Sequence, residues 1–216
     1  MNIVSCVIVQ FVGQDMARFF IVLAALFLAL PAMAKDYPDT DCEKDEKVCL
    51  KVLDAVANRS GDELILNFEN RENFHLKSSN KNCDEFDIIN CVGYFIKGVY
   101  KNHVFIISYY YEGGAIRIFR VKDGKSMSLP GVLIMSPSKT RFLSASDPYS
   151  DGPSPQIYRF INNSIKVEYK FKQKIDLFDS EINWNGDKKL IVKCFSTEKS
   201  FAVSLSQAGW SEPDGC

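Results

Sequence analysis

Residues 104–119 read VFIISYYYEGGAIRIF, and this stretch decides the fold class. Apolar and aromatic residues run up to a Glu-Gly-Gly, and a second apolar run follows. Aromatic and β-branched residues favour strands, and glycines between two such runs are typical of a tight turn. The stretch therefore predicts one antiparallel hairpin. Three consecutive tyrosines beside an arginine also resemble a ligand platform, so the register of the hairpin matters for function.

The register follows if the glycines at 113 and 114 form a two-residue turn. Tyr110 then lies opposite Arg117. Opposed residues share a face of the sheet, and successive residues alternate between faces. Tyr109 and Tyr111 are therefore predicted to be core residues. Tyr110 stands beside Arg117 at cation–π distance, and these two residues are candidate contacts for a ligand or partner.

Strand-like runs continue along the rest of the chain. They cover residues 63–68, 73–77, 92–100, 126–129, 140–146, 156–161, 164–171, 189–195 and 201–206. Turn signals such as Asp123-Gly124 separate them, and only residues 46–57 show helical spacing of apolar residues. We expect an all-β protein of antiparallel meander sheets in blade-like repeats, with one short N-terminal helix.

A weak repeat of about 40 residues, the length of a propeller blade, runs through residues 103–206. Residues 135–146, MSPSKTRFLSAS, resemble the Ser-Pro-Asp-Gly-Lys motif that opens blades of TolB-like β-propellers, with Ser138 in place of Asp and no Gly. Residues 182–190, INWNGDKKL, resemble a degenerate second copy. The chain is also similar to small secreted bacterial proteins of unassigned function. The resemblance implies blade-like sheets, arranged as a partial propeller or as a β-sandwich.

Residues 1–34 are predicted to be a secretory signal. Arg18 precedes an apolar core over 19–30, and Ala32-Met33-Ala34 has the small-x-small form of a cleavage site. We expect cleavage after Ala34, with Met16 as the better initiator, and one domain over residues 35–216. The alternative is an uncleaved N-terminal anchor.

Six cysteines follow the signal, and an even number in a secreted chain indicates disulfides in an oxidising compartment. They are Cys42, Cys49, Cys83, Cys91, Cys194 and Cys216. Sequence does not choose among the possible pairings, and local pairs (42–49, 83–91 and 194–216) are the expectation. Cys42 and Cys49 would lie about 10 Å apart in one continuous helix, so their pairing requires a helix that begins later. Zinc is the alternative, but Cys-x-x-Cys is absent, so no metal or cofactor is expected.

The loop at residues 147–155 is the second candidate for recognition, because binding residues lie disproportionately on loops held by a rigid sheet. It offers Asp147, Tyr149 and Asp151. Its carboxylates, with those at 176, 179 and 181, are also the basis of an alternative, a small secreted hydrolase. Two histidines and no Gly-x-Ser-x-Gly disfavour nucleophilic catalysis. The loop lacks the spacing of a calcium site.

The formal net charge of −1 and scattered lysines exclude a nucleic-acid-binding stripe. No second long apolar segment follows the signal, so we expect no membrane span after cleavage. We therefore expect a secreted or periplasmic, non-enzymatic binding protein that recognises another protein or an envelope component, of inhibitor or immunity type for example. A purely structural envelope protein is a third alternative.

Overall fold

Consecutive antiparallel meanders build the protein, each from strands that follow one another in the chain. The computed structural model describes residues 36–69, 71–79, 92–110, 113–146, 154–172, 175 and 180–211. Helix α1 is Glu46–Leu53. The strands are β1 (Thr40–Asp41), β2 (Ala57–Ser60), β3 (Glu63–Leu66), β4 (Phe74–Lys77), β5 (Gly93–Tyr100), β6 (His103–Tyr110), β7 (Gly113–Arg120), β8 (Ser126–Pro130), β9 (Val132–Met135), β10 (Arg141–Ala145), β11 (Gln156–Ile161), β12 (Ser164–Lys170), β13 (Ser180–Trp184), β14 (Lys189–Cys194), β15 (Ser200–Ser206) and β16 (Gly209–Ser211).

These strands form four antiparallel sheets. Sheet 1 has the order β2-β3-β4, and sheet 2 has the order β1-β5-β6-β7-β8. Sheet 3 has the order β12-β11-β10-β9, and sheet 4 has the order β13-β14-β15-β16. The predicted all-β class with one short helix is confirmed. The strands β1, β2, β9, β13 and β16 were not predicted.

Helix α1 is shorter than its predicted span of 46–57. It begins after Asp45, whose carboxylate accepts a hydrogen bond from the Lys47 amide at 3.0 Å. It ends at Leu53, where Asp54 takes a φ of +27° and its amide bonds to the Leu50 carbonyl. Residue 57 at the end of the predicted helix and the three residues after it instead form β2, which pairs with β3 in sheet 1.

Three apolar clusters lie between the four sheets, in chain order. The first joins α1 and sheet 1 to sheet 2, the second joins sheet 2 to sheet 3, and the third joins sheet 3 to sheet 4. Strand β6 contributes side chains to two of these clusters, since Val104 and Ile106 pack in the first cluster and Phe105 packs in the second. Alternation along one strand thus fills a core on each face.

The outer faces of the two end sheets are polar. Sheet 1 turns Asn58, His75 and Lys77 outward, and sheet 4 turns Lys189 and Lys193 outward. Repeated units that stack on their neighbours need such polar faces at their ends to stay soluble. The sheets therefore form a layered series whose terminal faces contact water.

The register of the β6–β7 hairpin differs from the prediction. Gly113 pairs with Tyr110 and Gly114 with Tyr109, so the glycines belong to β7 and the strands connect through residues 111 and 112. Arg117 consequently lies opposite Ile106, not Tyr110. The predicted Tyr110–Arg117 pairing is wrong, because the two glycines pair with β6 instead of forming the turn.

One predicted disulfide is present. Cys42 and Cys49 are bonded with Cα atoms 5.8 Å apart, which the late start of α1 at Glu46 permits. Cys194 is buried and is also disulfide-bonded. Cys83, Cys91 and Cys216 lie outside the described residues, so their pairing stays a prediction.

The two motifs that resemble blade openings contact each other. The Ser138 amide donates a hydrogen bond to Asp187 Oδ1 at 3.0 Å, which joins the β9–β10 turn of sheet 3 to the β13–β14 turn of sheet 4. Nearby, Arg141 is almost fully buried and its Nε donates to Glu168 Oε2 at 2.6 Å. The first contact gives both motifs a structural role at the junction of the two sheets, and the second joins β10 to β12 within sheet 3.

Candidate functional site

An open cleft of about 400 Å³ lies at the edge of sheet 2, beside α1. Its floor is formed by Phe95, Ile107 and Tyr109. Phe95 and Tyr109 are each 52% exposed, and their rings make an edge-to-face contact with centroids 5.7 Å apart. Large exposed aromatic side chains in a concave site are typical of ligand and partner recognition.

The floor lies on the face of sheet 2 that packs against sheet 3, at the end of that face which sheet 3 does not cover. Along one row of paired residues, Leu129 and Ile116 are buried, Ile107 is half-buried and Phe95 is exposed. These residues share a face because they are directly opposed. The row therefore begins with side chains packed in the second apolar cluster and ends with a side chain exposed at the surface.

Glycines on both neighbouring strands keep the Tyr109 ring uncovered. Tyr109 pairs with Gly93 on β5 and with Gly114 on β7. Neither partner has a side chain to place over the ring, so Tyr109 leans towards Phe95 instead. Tyr109 was predicted to be core, and its exposure shows that this prediction is wrong. The correct face assignment did not ensure burial, because both neighbours are glycine.

The wall of the cleft is the segment Cys42–Glu46, which is fixed at three points. The disulfide ties Cys42 to α1, and the Cys42 amide donates to the Lys97 carbonyl at 2.9 Å. Lys97 Nζ lies 3.0 Å from Glu43 Oε1. Strand β5 has a register irregularity between Ile96 and Gly98, and β-bulges recur next to functional sites.

Three carboxylates meet in this cleft, and each already has a partner. Asp45 caps α1, and Glu43 pairs with Lys97. Glu46 accepts hydrogen bonds from the Ile96 amide at 2.8 Å and from Arg59 Nη2 at 2.5 Å. Such carboxylates position the cleft wall, and their engagement favours a site for binding over a pair of catalytic acids.

A second cavity of about 170 Å³ lies at the seam of sheets 2 and 3, lined by His103, Arg120 and Asn163 among others. His103 is 4% exposed, and its Nδ1 lies 2.7 Å from the Lys101 carbonyl, so this nitrogen carries the proton. Burial lowers the pKa of His103, although the hydrogen bond to Lys101 opposes this. Its ring lies against Phe160. The imidazole is therefore neutral at pH 7 and mainly a packing group.

Of the sequence-predicted contact residues, Arg117 does not line the cleft. Arg117 stacks on Phe74, with its guanidinium carbon 5.3 Å from the ring centroid, and so bridges sheets 2 and 1. Tyr110 lies next to Tyr109 on β6. Asp147, Tyr149 and Asp151 lie outside the described residues, and their role stays a prediction.

Sequence reasoning missed Phe95 and the acidic wall. Phe95 lay in the predicted strand over residues 92–100, and no role was predicted for it. The polar, acidic composition of residues 35–47 predicts an exposed lead-in to the helix, yet this segment contains β1 and the buried Cys42. The available signal was the pair Gly93 and Gly114, since glycine within a strand often marks a place where something approaches the sheet closely.

No protein-family model matches this chain, and no curated protein matches it. Among solved structures, Hsv2 of Kluyveromyces lactis is similar with a TM-score of 0.32 and 13% sequence identity. The match covers 71% of this chain and 58% of that one. A likeness this weak indicates nothing about function. Within the described ranges, no helix has the length and apolar character that a membrane crossing requires.

Proposed function

We propose that this protein is a secreted or periplasmic, non-enzymatic binding module that recognises another protein or a component of the cell envelope through the cleft of sheet 2. The observation that supports this most is the exposed pair Phe95–Tyr109 on a rigid, disulfide-tied frame. Aromatic anchors that lose little conformational freedom on binding contribute much of the affinity at interfaces. An inhibitor or immunity protein fits this description.

Secretion is part of the proposal and is supported by the disulfides and by the signal-like leader. Asp36 and Tyr37, which follow the predicted cleavage site at Ala34, contact the turn between β5 and β6. Asp36 Oδ1 accepts from Asn102 Nδ2 at 2.7 Å, and the Tyr37 amide donates to Asn102 Oδ1 at 2.8 Å. Cleavage at the predicted position leaves both contacts intact.

The test is affinity capture from envelope extract with Phe95→Ala and Tyr109→Ala, using protein whose mature N-terminus is verified by intact mass. Phe195→Ala is the matched control, because Phe195 is 51% exposed in the turn between β14 and β15, and it does not line the cleft. We expect each cleft variant to weaken capture by about 10- to 100-fold, as for an interface hot spot, and the control to leave it unchanged.

Thermal unfolding separates loss of binding from loss of folding. Phe95 and Tyr109 are half exposed, so their truncation should lower the melting temperature little. Equal capture by the cleft variants and the control would reject the cleft as the recognition site. Loss of capture together with a large fall in melting temperature would also count against it.

A further inference from the structure

We propose that the cleft binds a segment of a partner protein through an inserted aromatic or large aliphatic side chain flanked by lysine or arginine, and not through an added β-strand. This inference rests on the proposed function and specifies the chemistry of the partner. Three features of the described residues support it: the closed edge of β5, the apolar floor and the acidic wall.

Along the described edge of β5, the backbone groups of Tyr94 and the amide of Ile96 already have hydrogen-bond partners. Glu46 accepts from the Ile96 amide, and Arg59 Nη2 donates to the Tyr94 carbonyl at 2.7 Å. The Tyr94 amide donates to Ser78 Oγ at 3.3 Å. Further along, β1 pairs with residues 98 and 99. Strand addition requires unpaired edge groups, and here side chains already satisfy them.

The floor suits a side chain. Phe95, Ile107 and Tyr109 present rings and an aliphatic group in a space of about 400 Å³, which admits one or two large side chains. An aromatic ring stacks or packs edge-on against such rings with centroids about 4.5–7 Å apart. A methionine, leucine or aromatic anchor therefore has matching surface on the floor.

The wall selects cationic flanks. Glu43 and Asp45 of the wall are exposed, and Asp39 and Asp41, which precede the wall in the chain, are exposed as well. Some pair with lysines of this chain, as Asp39 does with Lys101. Glu43 is nevertheless 64% exposed on its side chain although it contacts Lys97. The wall carries more carboxylates than ammonium groups, and complementary charge across an interface favours a basic partner.

The experiment measures fluorescence anisotropy of labelled nonapeptides on the purified mature protein. The set has a central Trp flanked by lysines, serines or glutamates, and a lysine-flanked peptide with Ala in place of Trp. We expect the lysine-flanked Trp peptide to bind at least about 10-fold more tightly than the glutamate-flanked one, and the Ala peptide not to bind. Alternate N-methylation of the flanks should change affinity by less than about 3-fold, because no strand forms.

Charge reversal at the wall provides the matched variants. Glu43→Lys should weaken binding of the lysine-flanked peptide by about 5-fold. Glu181→Lys, at an exposed position on sheet 4, should leave this binding unchanged. Equal affinity for lysine and glutamate flanks, or loss of binding on N-methylation, overturns the inference. So does Phe95-dependent binding of cell-wall oligosaccharides when no peptide binds. If cleft variants abolish envelope capture while the peptides show no charge preference, the proposed function stands and this inference fails.

Discussion

At the scale of single residues, the same chemical type has different roles according to its neighbours. Phe105 and Phe95 both lie on strands of sheet 2, and their side chains share a face. Phe105 is fully buried against sheet 3, where Phe142 meets its ring, whereas Phe95 is exposed. The difference comes from what covers each ring, because sheet 3 reaches only part of this face.

His103 makes stability depend on pH. Its folded pKa lies below the ordinary value of about 6.5, because burial disfavours the cation and the nearby Arg120 adds repulsion, although Asp123 and the Lys101 carbonyl favour the cation. The unfolded chain therefore binds the proton more tightly. The stabilising contribution is complete above about pH 6.5 and is lost as pH falls through the folded pKa.

We expect His103→Phe to reduce the loss of stability at low pH, since phenylalanine keeps a ring against Phe160 and removes the titrating group. The lost hydrogen bond should cost about 1 kcal/mol at pH 7.5. Urea unfolding of both proteins at pH 7.5 and pH 5 measures the difference, and His75→Gln, at an exposed site on sheet 1, is the control. An identical pH dependence in wild type and His103→Phe would contradict the assignment.

At the scale of elements, the segment Cys42–Glu46 and helix α1 act together as the wall of the cleft. A helix of eight residues is not stable alone in water, so its position depends on tertiary contacts. The disulfide closes a short loop across its start, Leu53 packs in the first cluster, and Glu46 binds the edge of β5. The helix is therefore held where it can present the carboxylates.

Removing the disulfide should loosen this wall. We expect Cys42→Ser with Cys49→Ser to lower the free energy of unfolding by about 2 to 3 kcal/mol, the value for a loop of this length. Binding of the lysine-flanked peptide should weaken as well, since the wall is no longer fixed. Urea unfolding and anisotropy measure the two effects. Unchanged values of both would show that hydrogen bonds alone position the segment.

At the scale of the whole molecule, short connections pass the chain from one sheet to the next. Gly131 lies between β8 of sheet 2 and β9 of sheet 3 with a φ of +73°, and a Cβ there would lie 1.8 Å from the Ala145 carbonyl oxygen. Its own amide donates to the Gly114 carbonyl at 3.0 Å. Only glycine permits this close approach, which sets sheet 3 against sheet 2.

Gly131→Ala should therefore destabilise the protein by more than about 3 kcal/mol, because the clash is with backbone that cannot move aside cheaply. Gly61→Ala is the matched control, since Gly61 has a similar φ of +58° with open space around it. It should cost only about 1 kcal/mol for the left-handed conformation. If the two variants lose the same free energy of unfolding in urea, the backbone at the junction of sheets 2 and 3 moves aside at little cost.

The sequence by itself determined the strand-rich class and most strand positions, since alternating apolar runs and turn residues are local properties. It also determined on which face of the sheet each side chain of β6 lies. The observed pairing of β6 with β7 differs from the predicted one by an even number of residues, and an even shift leaves every side chain on its predicted face. The pairing of Cys42 with Cys49 was predicted as one possibility, and the start of α1 decided it.

The tertiary structure alone decided burial and the site. Whether Tyr109 and Phe95 are core or surface depends on how far sheet 3 extends over sheet 2, and on the absence of side chains at Gly93 and Gly114. The acidic segment became a cleft wall only because a disulfide and a bulged strand bring residues 42–46 to residues 95–97. Contacts across such sequence separations leave no periodic signal in the chain.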